Sequence, residues 1–410
     1  MKIVLFTENY HRGGVDTFIA TLLNHWPDPG TEFTLICNHD HPGLKDIENR
    51  LKRPCRFITH NIATYSGLAI KTRGKLIPDL FRKLFTPVIK YLYIVLGIFR
   101  LRSILCNEQY DRLLIINGGY PGGDTCRAAG ITWGLFSNRP LSVHNFHGLS
   151  VPPRKLLWLQ EYFTDMLLSR LTQSFVTVSA AAVSSLALRS AIPASKVHYI
   201  HNGIEQPNLL KQQCDIRTEI GIQNTTPICL MLGAYESYKG HEFLLSAFRL
   251  IVDTIPSAHL VICGHGTPQD IKAVQNKVNQ LTLQNNVALL NFRTDAMTIL
   301  SQSDILLVTS QQFESFGLTC VEAMALRIPV VTTRVGGLPE VVADNEGGYC
   351  IGKDDIKQYS EIVIKLLNSS ELRQIQGELG YRRYLKLFTA NRMADNYAML
   401  FKPNKNIIAG

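Results

Sequence analysis

The sequence predicts an α/β protein made of two Rossmann-like, doubly wound domains, each a parallel sheet covered by helices on both faces. Three observations carry the prediction. A chain of 410 residues is too long for one comfortable core and long enough for two. Short β-rich apolar runs alternate with helix-length stretches from end to end, the pattern of parallel strands buried on both faces. A polar segment over 206–226 then parts the series in two, with no strand-like run of its own.

The first series offers strands over 3–7, 33–37, 56–59, 113–116, 142–146, 175–178 and 197–200. The second offers 228–232, 259–263, 287–290, 305–309 and 330–333. The expected division is therefore 1–205 and 206–387. Doubly wound sheets take ligands outside the carboxyl ends of their strands, so a cleft between the two sheet edges is the expected site, and residues just after strands are the informative ones.

Composition narrows the class. The chain is 46% hydrophobic and 18% charged, the balance of a globular protein. Its nine cysteines are scattered singly without a C-x-x-C pair, which argues against a disulfide framework or a structural zinc and fits a reducing cytosol. The first apolar run meets Thr7-Glu8-Asn9 at once, too soon for the core of a signal peptide. The net charge of +9 has a local source. Between Lys71 and Arg102 stand eight basic residues and one acid, Asp79, a local net of +7, interleaved with Leu76, Ile77, Leu80, Phe81, Leu84, Phe85, Val88 and Ile89. The nine uncharged residues between Lys90 and Arg100 fall far short of the roughly 20 a membrane span requires. The segment reads as a basic amphipathic helix on an anionic membrane surface, or as a helix packed on its own domain with a solvated basic face. A nucleic-acid module is disfavoured, because the basic residues lie among aliphatic ones and no recognition motif is present.

The most informative stretch is 304–342. A strand ends at Ser310, the loop Gln311-Gln312-Phe313-Glu314-Ser315-Phe316-Gly317 follows, and a helix from Leu318 leads to the strand at 330–333. Gly317 lets backbone approach a ligand, and the amides of Leu318 and Thr319, with the helix dipole, suit a diphosphate. Glu314 in the loop and Glu322 one turn into the helix can face one pocket, where carboxylates would accept hydrogen bonds from vicinal hydroxyls.

Glu314 to Glu322 resembles the E-x7-E signature of retaining GT-B glycosyltransferases of family 4 (glycosyl transferases group 1). Further motifs follow in that family's order: Gly13-Gly14 after the first strand; Val178-Ser179 and Asn202-Gly203-Ile204; Gly233 followed by Lys239-Gly240-His241; Gly264-His265-Gly266; Asn291-Phe292; and Val335-Gly336-Gly337-Leu338-Pro339-Glu340. Together they extend over nearly the whole chain.

The resemblance implies a GT-B fold, an acceptor-binding first domain, a nucleotide-sugar-binding second domain, and a last helix within 388–402 that crosses back to the first domain. It implies transfer of a hexose from a nucleotide-diphosphate sugar with retention of configuration, by front-face attack in which a diphosphate oxygen takes the acceptor's proton. Lys239 would neutralise the leaving diphosphate, with Gly14 and Gly233 at its approach. Glu314 would sit under the hexose, His147 would contact the transferred sugar or its acceptor, and Phe292 and Arg293 belong to the loop holding the base. Phe316, Gly317, Leu318, Thr319 and Glu322 complete the expected donor site. No cofactor is expected. No metal is expected either, since Asp354-Asp355 begins a late helix as a cap. The expected acceptor is lipid-linked or a surface polysaccharide, and the expected location is the inner face of the cytoplasmic membrane, reached through 71–102.

One position departs from the family. Many members carry an arginine after the glycine equivalent to Gly233, and here Ala234 stands. Arg12, Arg293 and Arg334 are the candidate replacements, and a catalytically inactive sugar-nucleotide-binding protein is the alternative reading.

Overall fold

The computed structural model describes residues 1–11, 13–207 and 215–402. In chain order the elements are β1 Lys2–Thr7, α1 Gly14–Asn24, β2 Glu32–Asn38, α2 Leu44–Arg50, β3 Arg56–His60, α3 Tyr65–Thr72, α4 Leu76–Leu84, α5 Thr86–Cys106, β4 Arg112–Asn117, α6 Asp124–Phe136, β5 Ser142–Phe146, α7 Trp158–Arg170, β6 Thr172–Thr177, α8 Ala180–Leu186 and β7 Val197–Tyr199. There follow α9 Ile216–Glu219, β8 Ile228–Leu232, α10 His241–Thr254, β9 His259–Cys263, α11 Pro268–Gln280, β10 Val287–Leu290, α12 Ala296–Ser301, β11 Ile305–Val308, α13 Leu318–Ala325, β12 Val330–Thr333, α14 Leu338–Val341, β13 Gly348–Ile351, α15 Ile356–Leu367, α16 Ser370–Leu387 and α17 Ala390–Leu400.

Two compact units result, one of Met1–Gly203 with the stretch that begins at Ala390, the other of Ile204–Thr389. The first holds a parallel sheet in the order β3-β2-β1-β4-β5-β6-β7, the second one in the order β10-β9-β8-β11-β12-β13. Both are doubly wound, as the alternating pattern predicts. The central strands are apolar on both faces because helices cover both: Ile3, Val4, Leu5 and Phe6 of β1, and Cys229, Leu230 and Met231 of β8, are all buried. The sequence-based strand list omits β13. Only Tyr349-Cys350-Ile351 is apolar there, after Gly347-Gly348, and pairing with β12 supplies the extended conformation. The Asp355 carboxylate caps α15 by accepting from the Gln358 amide at 2.9 Å.

The helix α17 belongs to the first unit. Met393, Ala394, Tyr397 and Phe401 enter its core beside Phe18 and Trp26. The buried Asn145 side chain donates to the Tyr397 hydroxyl at 2.6 Å.

The basic segment over 71–102 is not one helix. It ends α3, forms α4, breaks at Phe85 and continues into α5, with 78° between the last two; among the described residues no single helix is long and apolar enough to cross a membrane. The helix α5 buries Ile94, Gly97, Leu101 and Leu105, an i, i+3, i+7, i+11 stripe set against α6, where Gly97 admits Ala128. The helix α4 buries nothing.

Candidate functional site

In the second unit the strand order reverses between β8 and β11, and the loops leaving these two strands diverge to leave a crevice. The β8 loop carries Lys239 and the β11 loop carries Glu314. Their side chains meet: Lys239 Nζ donates to Glu314 Oε2 at 2.6 Å, and Ser310 Oγ donates to the same oxygen at 3.1 Å. Both side chains are mostly shielded, 22% and 15% exposed.

Backbone contacts lock the two loops together. Thr309 Oγ1 donates to the carbonyl of Lys239 at 3.0 Å, and the Gln311 amide donates to the Tyr238 carbonyl at 2.8 Å. The Gly337 amide donates to the Glu314 carbonyl at 2.8 Å. The rings of Tyr238 and Phe313 stack at 4.3 Å. Gly240, at φ 79°, brings the β8 loop so close that a Cβ there would lie 1.9 Å from the Thr309 carbonyl oxygen.

Gly317 starts α13 in the left-handed region at φ 94°, where a side chain is strained. The amides of Leu318 and Thr319 have no acceptor among the described residues, as expected of a helix start that offers them outward. The Phe316 side chain points elsewhere: it is buried against Phe388, ring centroids 5.8 Å apart. It anchors the loop, leaving only its backbone for a ligand.

Glu322 lies one turn into α13, beside the buried Val321 and Ala323. Burial alone pushes its carboxyl up to about 7, and no described residue hydrogen-bonds it. A desolvated carboxyl without a partner is costly, so its presence beside a diphosphate-suited helix start marks a place for a ligand's hydroxyl donors.

The other sequence candidates fall as follows. Gly233 ends β8, and a Cβ built there would meet nothing nearer than 3.9 Å. Phe292 is exposed. Arg293 is clasped by Asp295 at 2.7 Å and Glu219 at 2.6 Å, which raise its pKa further. Arg334 donates to Asp344 and to the Cys350 carbonyl. Neither guanidinium is an unengaged replacement for the missing arginine, and Ala234 itself is buried. Arg12 lies outside the described residues. Among the described residues no three His, Cys, Asp or Glu side chains gather as a metal site.

In the first unit, a Cβ at Gly13 or Gly14 would meet no atom within 4 Å, so space over the start of α1 is open, although the Asp16 carboxylate already accepts from the Gly13 amide at 3.2 Å. His147 follows β5. Its ring packs edge-on to Phe18 at 4.3 Å, its Nε2 is enclosed without a partner, and burial drops its pKa to about 3. It is therefore a neutral imidazole. His144, three residues earlier on β5, is a core residue beside Phe175.

Sequence reasoning passed over Glu8. It sits at the first unit's own strand-order reversal, between β1 and β4, where its carboxylate accepts from the amide of Thr125 at 2.8 Å and its hydroxyl at 2.7 Å. Burial, then Asp124, raise it to about 7. The signal available was a charged residue directly after an apolar strand.

Two doubly wound units, one carrying a cation, a helix start and a lone carboxyl at its strand-order reversal, define a GT-B fold with a site suited to a sugar diphosphate. The comparisons agree. Residues 212–383 match the family described as Glycosyl transferases group 1, and residues 12–206 match Glycosyltransferase Family 4. The chain belongs to the glycosyltransferase group 1 family. Among solved structures it resembles a glycosyltransferase from Rickettsia africae (TM-score 0.76, 16% identity, 98% of this chain and 97% of that one). It also resembles Anabaena HepE in complex with UDP (TM-score 0.74, 17% identity, 97% and 99%). Among curated relatives, it is 27% identical to N-acetyl-alpha-D-glucosaminyl L-malate synthase of Bacillus anthracis over 51% of this chain and 54% of that protein. It is 22% identical to the capsular polysaccharide biosynthesis glycosyltransferase CapM of Staphylococcus aureus, over 68% and 74%. The matched stretch thus spans about half the length of the first of these relatives.

Proposed function

We propose that this chain is a retaining hexosyltransferase of the EC 2.4 class. It takes the sugar from a nucleotide-diphosphate donor without a metal and passes it to a lipid-linked or surface-polysaccharide acceptor. The observation that carries the reading is the group at the second unit's strand-order reversal: Lys239 and Glu314 in contact, the open amides of α13, and the unpartnered Glu322. The diphosphate lies on the α13 amides and takes Lys239, whose charge offsets the negative charge that develops as the sugar departs. Glu322 accepts from the ribose hydroxyls, and Glu314, exchanging its lysine partner for the donor, accepts from the hexose. The bond from the anomeric carbon to the phosphate oxygen breaks. The acceptor oxygen bonds that carbon on the same face, and its proton passes to the leaving diphosphate. His147, neutral by burial, serves as a hydrogen-bond partner for a sugar hydroxyl and not as a cation.

The chain works at the inner face of the cytoplasmic membrane. The basic, outwardly apolar α3–α5 segment supports this, since Leu76, Leu80 and Leu84 stand one turn apart on α4 and are 84%, 65% and 72% exposed. Such a stripe is stabilised by entering the headgroup boundary, while Lys71, Arg73 and Lys75 meet anionic lipid.

Calorimetric titration with UDP, GDP and ADP, with and without EDTA, tests the donor site. Micromolar binding of one nucleotide that survives EDTA and is lost in Glu322→Ala and Lys239→Ala supports it. The buried Ala234 and the engaged Arg293 and Arg334 favour one rival, a sugar-nucleotide-binding protein without turnover. Tight donor binding with no transfer to any acceptor would establish that rival.

A further inference from the structure

Two cavities in the first unit meet across the same pair of side chains. The first, of about 330 Å³, opens where β2 and β3 end and is lined by Tyr10, Asp40, His60, Thr64 and Lys71 among others. The second, of about 470 Å³, lies under α4 and is lined by Ile77, Pro78, Phe81, Ile89 and Leu92. Leu68 and Tyr93 line both. The first carries polar groups and the second is almost wholly apolar, and these two side chains are common to both.

The polar cavity has unspent hydrogen-bonding capacity. His60 stacks on Phe6, and its Nδ1 accepts from the Ile62 amide at 3.4 Å. The proton of this neutral ring therefore sits on Nε2, which is buried with no partner among the described residues. The Tyr10 and Thr64 hydroxyls share one hydrogen bond at 2.5 Å, so one of the two protons remains to be given. Lys71 brings a cation to the wall, with no acidic partner among the described residues, and Arg73 and Lys75 follow it in the chain. Asp40, on the same cavity, is a carboxylate with acceptor oxygens for a ligand's hydroxyls.

The apolar cavity has the opposite need. Its roof, α4, buries no residue of its own, and Ile77 and Phe81 remain 79% and 59% exposed although they line it. Each such side chain is stabilised by burial against apolar matter. Water cannot supply it, and a hydrocarbon chain can.

We propose that the two cavities form one binding site for an amphiphile, its anionic, hydroxyl-bearing head beside Lys71 and His60 and its hydrocarbon chain under α4, with Leu68 and Tyr93 at the waist. The proposal rests on the reading of a lipid-linked acceptor and names where that lipid lies. It differs from adhesion of the outer stripe of α4 to a bilayer, which uses Leu76, Leu80 and Leu84, and shares with that adhesion only the cation of Lys71.

Lysophosphatidylglycerol, held below its micelle concentration, is the probe for the full chain. Calorimetry is expected to show micromolar binding, with glycerol phosphate and lysophosphatidylcholine each at least tenfold weaker. Lys71→Glu and the cavity-filling Ile89→Trp are each expected to weaken the probe at least tenfold. If Ile89→Trp does not fold, Phe81→Glu at the exposed mouth reads the same cavity. The double variant Leu80→Asp with Leu84→Asp is expected to lose adhesion to phosphatidylglycerol vesicles and keep the probe. Unchanged probe affinity in Ile89→Trp and Phe81→Glu, or probe loss in the double variant Leu80→Asp with Leu84→Asp, overturns the proposal. UDP titration on the same samples keeps the two readings apart. In the unsubstituted chain, no probe binding with intact UDP binding sinks only this site, and no UDP binding with intact probe binding sinks only the donor site.

Discussion

Each sheet reverses its strand order once, and each reversal holds a half-buried carboxyl raised to about 7 by desolvation: Glu8 in the first unit, Glu322 in the second. The surroundings differ. Glu8 spends its oxygens on the chain, capping the first turn of α6 through the Thr125 amide and hydroxyl, while the adjacent Asp124 pairs with Arg127 at 2.8 Å. The Glu322 carboxylate accepts from no described residue. The same pKa direction therefore has two meanings. Where the carboxylate is already satisfied by backbone it holds the fold together, and where it is desolvated and alone it awaits a ligand.

The largest expected effect breaks the comparison at its functional end. Lys239→Ala is expected to lower turnover by about 10²–10³, the usual loss when one transition-state charge partner is removed, with little change in thermal unfolding. Initial rates of donor consumption beside a melting curve check it. An equal loss of stability would make Lys239 a structural partner of Glu314.

Next comes the structural end. Glu8→Ala leaves the Thr125 amide and hydroxyl without their acceptor and is expected to cost about 2 kcal/mol of stability, while UDP affinity stays within twofold. Urea unfolding of this variant and of Glu8→Gln, which keeps an acceptor oxygen, separates lost hydrogen bonding from lost charge.

The pH dependence of donor binding sharpens the contrast. In the proposed donor site ribose hydroxyls would donate best to ionised Glu322, whose ordinary value is raised to about 7 by burial. UDP affinity is expected to be full above pH 7 and to fall up to about tenfold per pH unit below it. Glu322→Gln should be weaker throughout and flat between pH 5.5 and 8. A wild-type profile equally flat would remove Glu322 from the ribose.

The smallest effect concerns stability. Between pH 4.5 and 7 the folded chain holds a proton on Glu322 that the unfolded chain has released, so folding stability falls as pH rises through this window. Glu322→Gln is expected to remove about 1–3 kcal/mol of that fall, read as a flatter melting temperature against pH.

Much of the fold was legible because buried parallel strands are continuous apolar runs: the predicted bounds of β5, β8, β9, β10 and β12 coincide with the observed ones. Where tertiary pairing supplies the order, legibility ends. The three apolar residues of β13 did not announce a strand, and the break at Phe85 was signalled only by Pro87 in the first turn of α5, which a reading of 71–102 as one helix passes over. The site shows the same limit. Lys239 and Glu314 each stand out after a strand, but their contact joins residues 75 apart in sequence. The clasp of Arg293 depends equally on Glu219, from a distant helix. Spacing along a chain reports residues on one element, and partners from different elements appear only when the sheet sets their order.

The placement of α17 has a consequence for synthesis. Everything the second unit needs lies between residues 204 and 389, whereas the first unit requires Tyr397 for Asn145 and Phe401 for Trp26. On a ribosome emitting the chain from its amino end, the half made first must wait for the last helix, while the half made second can close before it. The usual order, in which amino-terminal domains mature first, is inverted here. Until α17 has emerged, the nascent first unit exposes the groove that this helix will fill, a face that a chaperone would find and the folded unit hides.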